Sequence, residues 1–211
     1  MYENILLDVL PKEYEGYLIN YSFRTGILIS QALGDTETFK DDDDGRMERL
    51  FTAFNLLYGK GLPPFEIALN GLKWFMRCGA TENNRKLNPN DNKEYFSFDV
   101  DKDRLFSAFM VRFRINLNRE ELHFFEFIAL FNDLSKTSFR NVVDLRQMDS
   151  KELKKYSKED RAEILRQKKY FAIEKTLNQS FTKEQIEAID KFDKLVGIAW
   201  LFIFFYGIII A

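Results

Sequence analysis

The sequence predicts a mainly α-helical bundle with a small N-terminal β-hairpin and a long C-terminal helix. Three observations carry that reading. Apolar residues recur three and four apart through most of the chain, the spacing that lines one face of a helix. Cap residues, prolines and glycines stand where such helices would start and stop. Only one short stretch, around Gly16, sets a turn residue between β-favouring side chains.

In chain order, "ENILLDVLPKEY" carries a short amphipathic pattern, Ile5, Leu6, Val9 and Leu10, that Pro11 stops. "YEGYLINYSF" then reads as the hairpin. Ser22 is placed to cap a helix over "FRTGILISQAL", although Gly26 inside it costs ~1 kcal/mol relative to Ala. "GDTETFKDDDDGR" reads as a solvated acidic loop. It lacks the turn glycine and distal glutamate of a calcium loop. "RMERLFTAFNLLYG" sets Leu50, Phe54 and Leu57 on one face. "PFEIALNGLKWFMRCG" follows Pro63, buries Ile67, Leu72, Phe75 and Met76, and closes at Gly79. "ATENNRKLNPNDNKE" has no apolar period and reads as a mobile loop and internal hinge.

Beyond it, Asp101 is the expected N-cap of a helix carrying Leu105, Phe109 and Phe113. Asn118 and Glu121 stand close to a capping box for "ELHFFEFIALFNDLS", a helix apolar nearly all round. "SFRNVVDLRQMD" fits a short helix. Ser157 and Asp160 cap a charged one in which Ile164, Leu165 and Phe171 face inward. The domain drawn this way runs over 1–176, with an amphipathic linker helix over 177–194 and a hydrophobic segment over 195–211.

The composition restricts the function. The 211 residues carry a formal net charge of −2, which gives no pull toward nucleic acid. One cysteine, Cys78, excludes an internal disulfide and suits an intracellular chain; the N-terminus lacks the basic opening of a secretory signal. His123 is the only histidine, so a metal or triad site has no second ligand of that kind; it reads as a hydrogen-bonded interior or boundary residue. No phosphate-cradling glycine motif occurs, and neither enzyme chemistry nor a cofactor is expected.

Several stretches together identify a family. "YSFRTGI" (Tyr21–Ile27), "WFMRCG" (Trp74–Gly79), "YFSFDVDKDRLFSAFMVRFRINL" and "ELHFFEFIALFNDLSKTSFRNVVDLRQMD" occur in the order found in the bacteriophage gene-product-fifteen family. The chain resembles that family from about Leu6 to Ile173. The resemblance implies a helical, non-catalytic tail assembly chaperone of long-tailed phages and prophages of Gram-positive bacteria. Such a protein would bind the tape measure protein and other tail components in the host cytoplasm. On the family pattern, Phe124, Phe127 and Phe131, with Trp74 and Phe75 nearby, are the candidate client-binding surface; the competing reading is that these rings are core.

The resemblance does not reach the end of the chain. From Leu195 to Ala211 no residue is charged, and Leu195, Trp200, Phe202, Phe205, Tyr206 and Ile210 mark a candidate membrane segment. Its 17 residues sit at the short end for spanning a bilayer. Lys191 and Lys194 suit a cytosolic near side, tethering the protein to the inner face of the cell membrane. Two other readings stand beside it. The segment packs on the domain, on a second copy or on the client, or it is an ending read in another frame. A membrane-anchored phage protein that recruits a partner through its helical domain is the alternative function.

Overall fold

The computed structural model describes residues 4–35, 38–80 and 95–173. In chain order they form β1 (Glu13–Tyr14), β2 (Tyr17–Leu18), α1 (Phe23–Gly34), α2 (Asp43–Tyr58), α3 (Phe65–Met76), α4 (Lys102–Phe113), α5 (Phe124–Asn132), α6 (Ser138–Gln147), α7 (Ser150–Leu153) and α8 (Lys158–Tyr170), with a 3-10 turn at Gly59–Gly61. The expected class, mainly helical with one small hairpin at the N-terminus, is the observed one. The predicted hinge at 81–94, the linker helix and the hydrophobic segment lie outside the described residues.

The chain divides into two compact units that alternate along the sequence. The described residues of the first are those up to Ala80 and Glu121–Asn132; those of the second are Tyr95–Glu120 and Asp133–Ile173.

In the first unit the hairpin pairs Glu13 with Leu18 and Tyr14 with Tyr17. Its two-residue turn needs positive φ twice, and Glu15 (47°) and Gly16 (82°) supply it, the geometry that matches strand twist. Ser22 caps α1 as its hydroxyl accepts the Arg24 N–H at 3.3 Å. α1 packs on α2 and α5, and α2 also packs on α3. Ile29, Leu50, Phe54, Leu57, Leu72 and Phe75 are fully enclosed, so the stripe expected on α2 is core; of that expected on α3, Leu72, Phe75 and Met76 are core and Ile67 is half-buried. α3 ends with the Gly79 N–H on the Trp74 carbonyl (2.9 Å) and the Cys78 N–H on that of Phe75 (3.0 Å). That is a Schellman closure in which Cys78 (φ 52°), rather than glycine, takes the first left-handed position.

Two helix starts differ from expectation. α2 begins inside the acidic run, because the Asp42 carboxylate accepts the Gly45 N–H at 2.8 Å and Asp43 and Asp44 occupy the positive first turn. The loop before it is drawn in by buried Arg49, which donates to the Lys40 carbonyl (3.1 Å) and to Asp41 (3.3 Å). α5 begins at Phe124, later than the Asn118–Glu121 pattern predicts: Asn118 lies in a separate turn closed by Asn116, whose side-chain oxygen accepts the Asn118 N–H (3.0 Å).

The second unit is organised by a buried ion pair. Arg146 on α6 meets Asp101 through two bonds of 2.6 and 3.0 Å, both side chains nearly sealed from solvent. The same guanidinium donates to the carbonyls of Tyr95 (3.0 Å) and Phe171 (2.6 Å), so one side chain ties together the first and the last stretches of this unit. Asp101 stands at the N-cap position of α4 as expected but makes no cap bond to that helix. Its carboxylate accepts from Arg146, Arg104 (3.4 Å) and the Ser97 N–H (3.1 Å) instead. A charge buried this deeply persists only where it is fully paired, and these bonds saturate it. α6 packs against α4 and α8. α7 starts with a full capping box, Asp149 and Glu152, and Ser157 caps α8 through the Asp160 N–H at 3.0 Å. Of the inward set expected on α8, Leu165 is exposed, and Ile164 and Phe171 are half-buried. The helix rides on the unit mainly by its polar side chains, Lys168 donating to the carbonyls of Arg146 (3.1 Å) and Met148.

Candidate partner-binding surface

Four of the five side chains proposed to face a client are core. Phe75, Phe124, Phe127 and Phe131 are buried, and Trp74 is half-buried. Phe75 stacks on Phe124 with centroids 4.9 Å apart, Phe23 stacks on Phe127 at 5.0 Å, and Phe131 lies 6.0 Å from Phe127. Trp74 is wedged between Tyr14 (5.1 Å) and Phe125 (5.6 Å). The reason is close approach: Gly26 opens a gap in α1 into which the Phe124 ring fits, so α5 sinks its phenylalanines between α1 and α3. The core reading of that stripe therefore prevails over the surface one in this conformation. The candidate membrane residues, Leu195, Trp200, Phe202, Phe205, Tyr206 and Ile210, lie outside the described residues. Among the described residues no helix is long and apolar enough to cross a membrane.

Exposed apolar surface is found elsewhere on the first unit. Phe51 on α2 is 44% exposed and Phe65, which opens α3, is 41% exposed. Their rings lie 6.5 Å apart, and both stand edge-on against buried Phe54, at 5.9 and 5.8 Å. The pair is thus packed from below while its outer faces meet water. Leu62, three residues before Phe65, is exposed as well. One signal in the sequence marks Phe51. It sits one residue off the Leu50–Phe54–Leu57 stripe, so on a helix it must turn away from the core.

A second apolar feature is the N-terminal segment. Leu6, Leu7 and Val9 are 87%, 83% and 89% exposed. They stand on an ordered turn: the Asn4 side chain accepts the Leu6 N–H (2.8 Å), the Asn4 N–H donates to the Asp8 carboxylate (2.9 Å), and the Asp8 N–H reaches the Asn4 carbonyl (2.9 Å). The amphipathic pattern read there makes this turn and no helix, because Pro11 leaves no room for a second one.

His123 joins this segment to the helices. Nε2 lies 2.8 Å from the Pro11 carbonyl, and Nδ1 accepts the Phe125 N–H at 3.1 Å. The Glu126 carboxylate accepts the His123 N–H at 2.9 Å, so the start of α5 is held by the His123 ring and by Glu126 reaching back to it, not by Asn118 and Glu121. The backbones of Ser22 and His123 pair as an isolated antiparallel bridge, with Phe23 N–H on Leu122 (3.0 Å) and Phe124 N–H on Tyr21 (2.8 Å). Burial foremost lowers the His123 pKa. The imidazole is spent on structure, as an interior histidine. Desolvation pushes the Cys78 thiol up to about 12, which leaves no thiolate for nucleophilic chemistry at neutral pH. Among the described residues no group of three or more His, Cys, Asp or Glu side chains could hold a metal ion.

A family model described as Bacteriophage Gp15 protein matches residues 6–173. The chain belongs to the bacteriophage Gp15 family. The match runs from Leu6, within the N-terminal turn, through both helical units to Ile173, the last described residue. No curated protein and no solved structure matches the chain.

Proposed function

We propose that this Gp15 protein is a non-catalytic tail assembly chaperone that binds the tape measure protein, with other tail components, in the cytoplasm of the host. The observation that carries the reading is the half-exposed Phe51–Phe65 pair on a phage protein. A long apolar client is kept soluble by surface that covers it without gripping it for good. Two rings about 40% exposed have roughly 70–90 Å² each left to bury, worth ~2 kcal/mol apiece. Their sum corresponds to a Kd of about 1 mM before any cost of association. Such contacts release readily, and affinity comes from several at once, Leu6, Leu7 and Val9 among them.

The test is capture of co-expressed tape measure protein by the full chain. The Phe51→Ser/Phe65→Ser variant is expected to retain no more than about a tenth of the wild-type capture. Both rings are more than half buried and pack edge-on against Phe54, so the variant is compared with the wild type at a temperature at which both are folded. Failure of the wild-type chain to capture the client removes the chaperone reading; equal capture by the variant moves the binding surface elsewhere.

A second reading is a membrane-anchored phage or prophage protein that recruits a partner through its helical domain. The uncharged run Leu195–Ala211 favours it. Carbonate extraction of cell membranes decides: an anchored chain stays in the pellet, and a chain found wholly in the soluble fraction has no anchor.

A further inference from the structure

We propose that the uncharged run Leu195–Ala211 is the resident occupant of the Phe51–Phe65 face of its own chain, and that a client has to displace it. The face is prepared for an apolar ligand. Phe51 and Phe65 are packed from below by Phe54 and turn their outer sides to water. Leu62, 43% exposed, is joined to Phe65 through Pro63 and Pro64, whose rings fix the backbone between the two side chains.

The run matches that face in chemistry. It carries no charge, and five of its 17 residues are aromatic: Trp200, Phe202, Phe204, Phe205 and Tyr206. Such rings gain most against other rings, offset or edge-on. Left in water, it would be an apolar patch of the kind that proteins cover.

Reach and concentration favour the chain's own run over that of a second copy. Between Ile173, the last described residue, and Leu195 lie 21 residues. They span ~70 Å if extended and ~30 Å if helical. A compact unit of about 90 residues has a radius of gyration of ~12 Å and is about 30 Å across. A tether of this length holds the run at an effective concentration on the order of mM. With the Kd of about 1 mM that two such rings support, the run covers them at least about half of the time. A second copy at micromolar concentration covers them about 1% of the time or less.

The contact needs only the exposed face; its role as a competitor rests on the chaperone reading above. An apolar segment that touches Phe51 and Phe65 alone is then held off about two- to fivefold. A client that also engages Leu6, Leu7 and Val9 has contacts to spare and displaces the run.

Photo-cross-linking of the purified full chain without client tests the contact, with p-benzoylphenylalanine in place of Leu62. Cross-links into 195–211 should form within one chain. Their yield should be the same at about 1 and about 20 μM protein and about tenfold lower in Phe202→Asp/Phe205→Asp. Cross-links that join two chains, that reach only residues outside 195–211, or that do not form overturn the proposal. So does a chain found wholly in the carbonate-resistant membrane pellet. Should the Leu62 replacement fail to fold, the indole N–H resonance of Trp200 decides: it should shift between the wild type and Phe51→Ser/Phe65→Ser, and no shift overturns the contact. With co-expressed tape measure protein, Phe202→Asp/Phe205→Asp should capture about two- to fivefold more than the wild type. Capture by both at the same level overturns the competition. Capture by neither, with the cross-link formed, removes the chaperone reading and leaves the contact standing.

Discussion

A methyl group at position 26 would sit 2.1 Å from the Phe124 ring, well inside contact distance, and that ring has no exposed face on which to retreat. Helix propensity alone says that Gly26→Ala should stabilise α1 by about 1 kcal/mol. Packing says the opposite, since overfilling a tight core costs ~1–3 kcal/mol. Packing wins, because Phe124 is also stacked on Phe75 at 4.9 Å and cannot swing aside. Gly26→Ala is expected to lower stability by about 2 kcal/mol in denaturant unfolding; a gain would mean that the ring shifts freely. The sequence shows Gly26 only as a weak point in a helix, because its partner lies 98 positions away and no local pattern announces the pairing. His123 is similar. Its interior role is legible from its apolar neighbours, whereas its bond to Pro11 depends on the fold. Phe124, Phe127 and Phe131 show the limit in the other direction. A helix apolar all round is consistent with core and with surface, and only the neighbours that close over it decide.

At the scale of elements, caps set where the helices begin, and a cap with two duties should matter most. Thr137 is buried; its hydroxyl accepts the Arg140 N–H (3.2 Å) to start α6 and donates to the Leu134 carbonyl (2.9 Å). Thr137→Val keeps the shape and removes both bonds. It strands one donor and one acceptor away from water, so a loss of about 2–3 kcal/mol is expected. Thr137→Ser should recover most of it. Equal stability of the Val and Ser variants in urea unfolding would show that the hydroxyl does nothing there. Most helices were legible by period, with Leu50, Phe54 and Leu57 or Leu72, Phe75 and Met76 as their inner stripes. Their starts were less so. Asp42 caps α2 from within a run that reads as solvent-facing charge, and a histidine is an uncommon cap to expect. α7 is a single turn, too short for any period to show, although Asp149 and Glu152 stand at the spacing of its capping box.

At the scale of the whole molecule, the order of the chain is the governing fact. α5 belongs to the first unit, yet residues of the second precede and follow it. The mobile hinge expected between Ala80 and Tyr95 therefore does not mark a place where the sequence could be cut into two self-sufficient pieces. A chain ending at Asp91 lacks Phe124, Phe125, Phe127 and Phe131, each of which buries roughly 150–250 Å². Their removal forfeits about 15–25 kcal/mol of apolar burial as an upper bound, more than the ~5–15 kcal/mol by which a domain of this kind is stable. It also bares the faces of α1 and α3 that α5 covers, with Phe23 and Phe75 among the rings uncovered. Residues 1–91 alone are expected to show no cooperative thermal transition and to bind a hydrophobic dye. Residues 1–176 retain all the described elements of both units and should unfold cooperatively without the 195–211 segment. Cooperative unfolding of the 1–91 piece would mean that α5 is dispensable to the first core, contrary to the ring contacts that Phe124 and Phe127 make there.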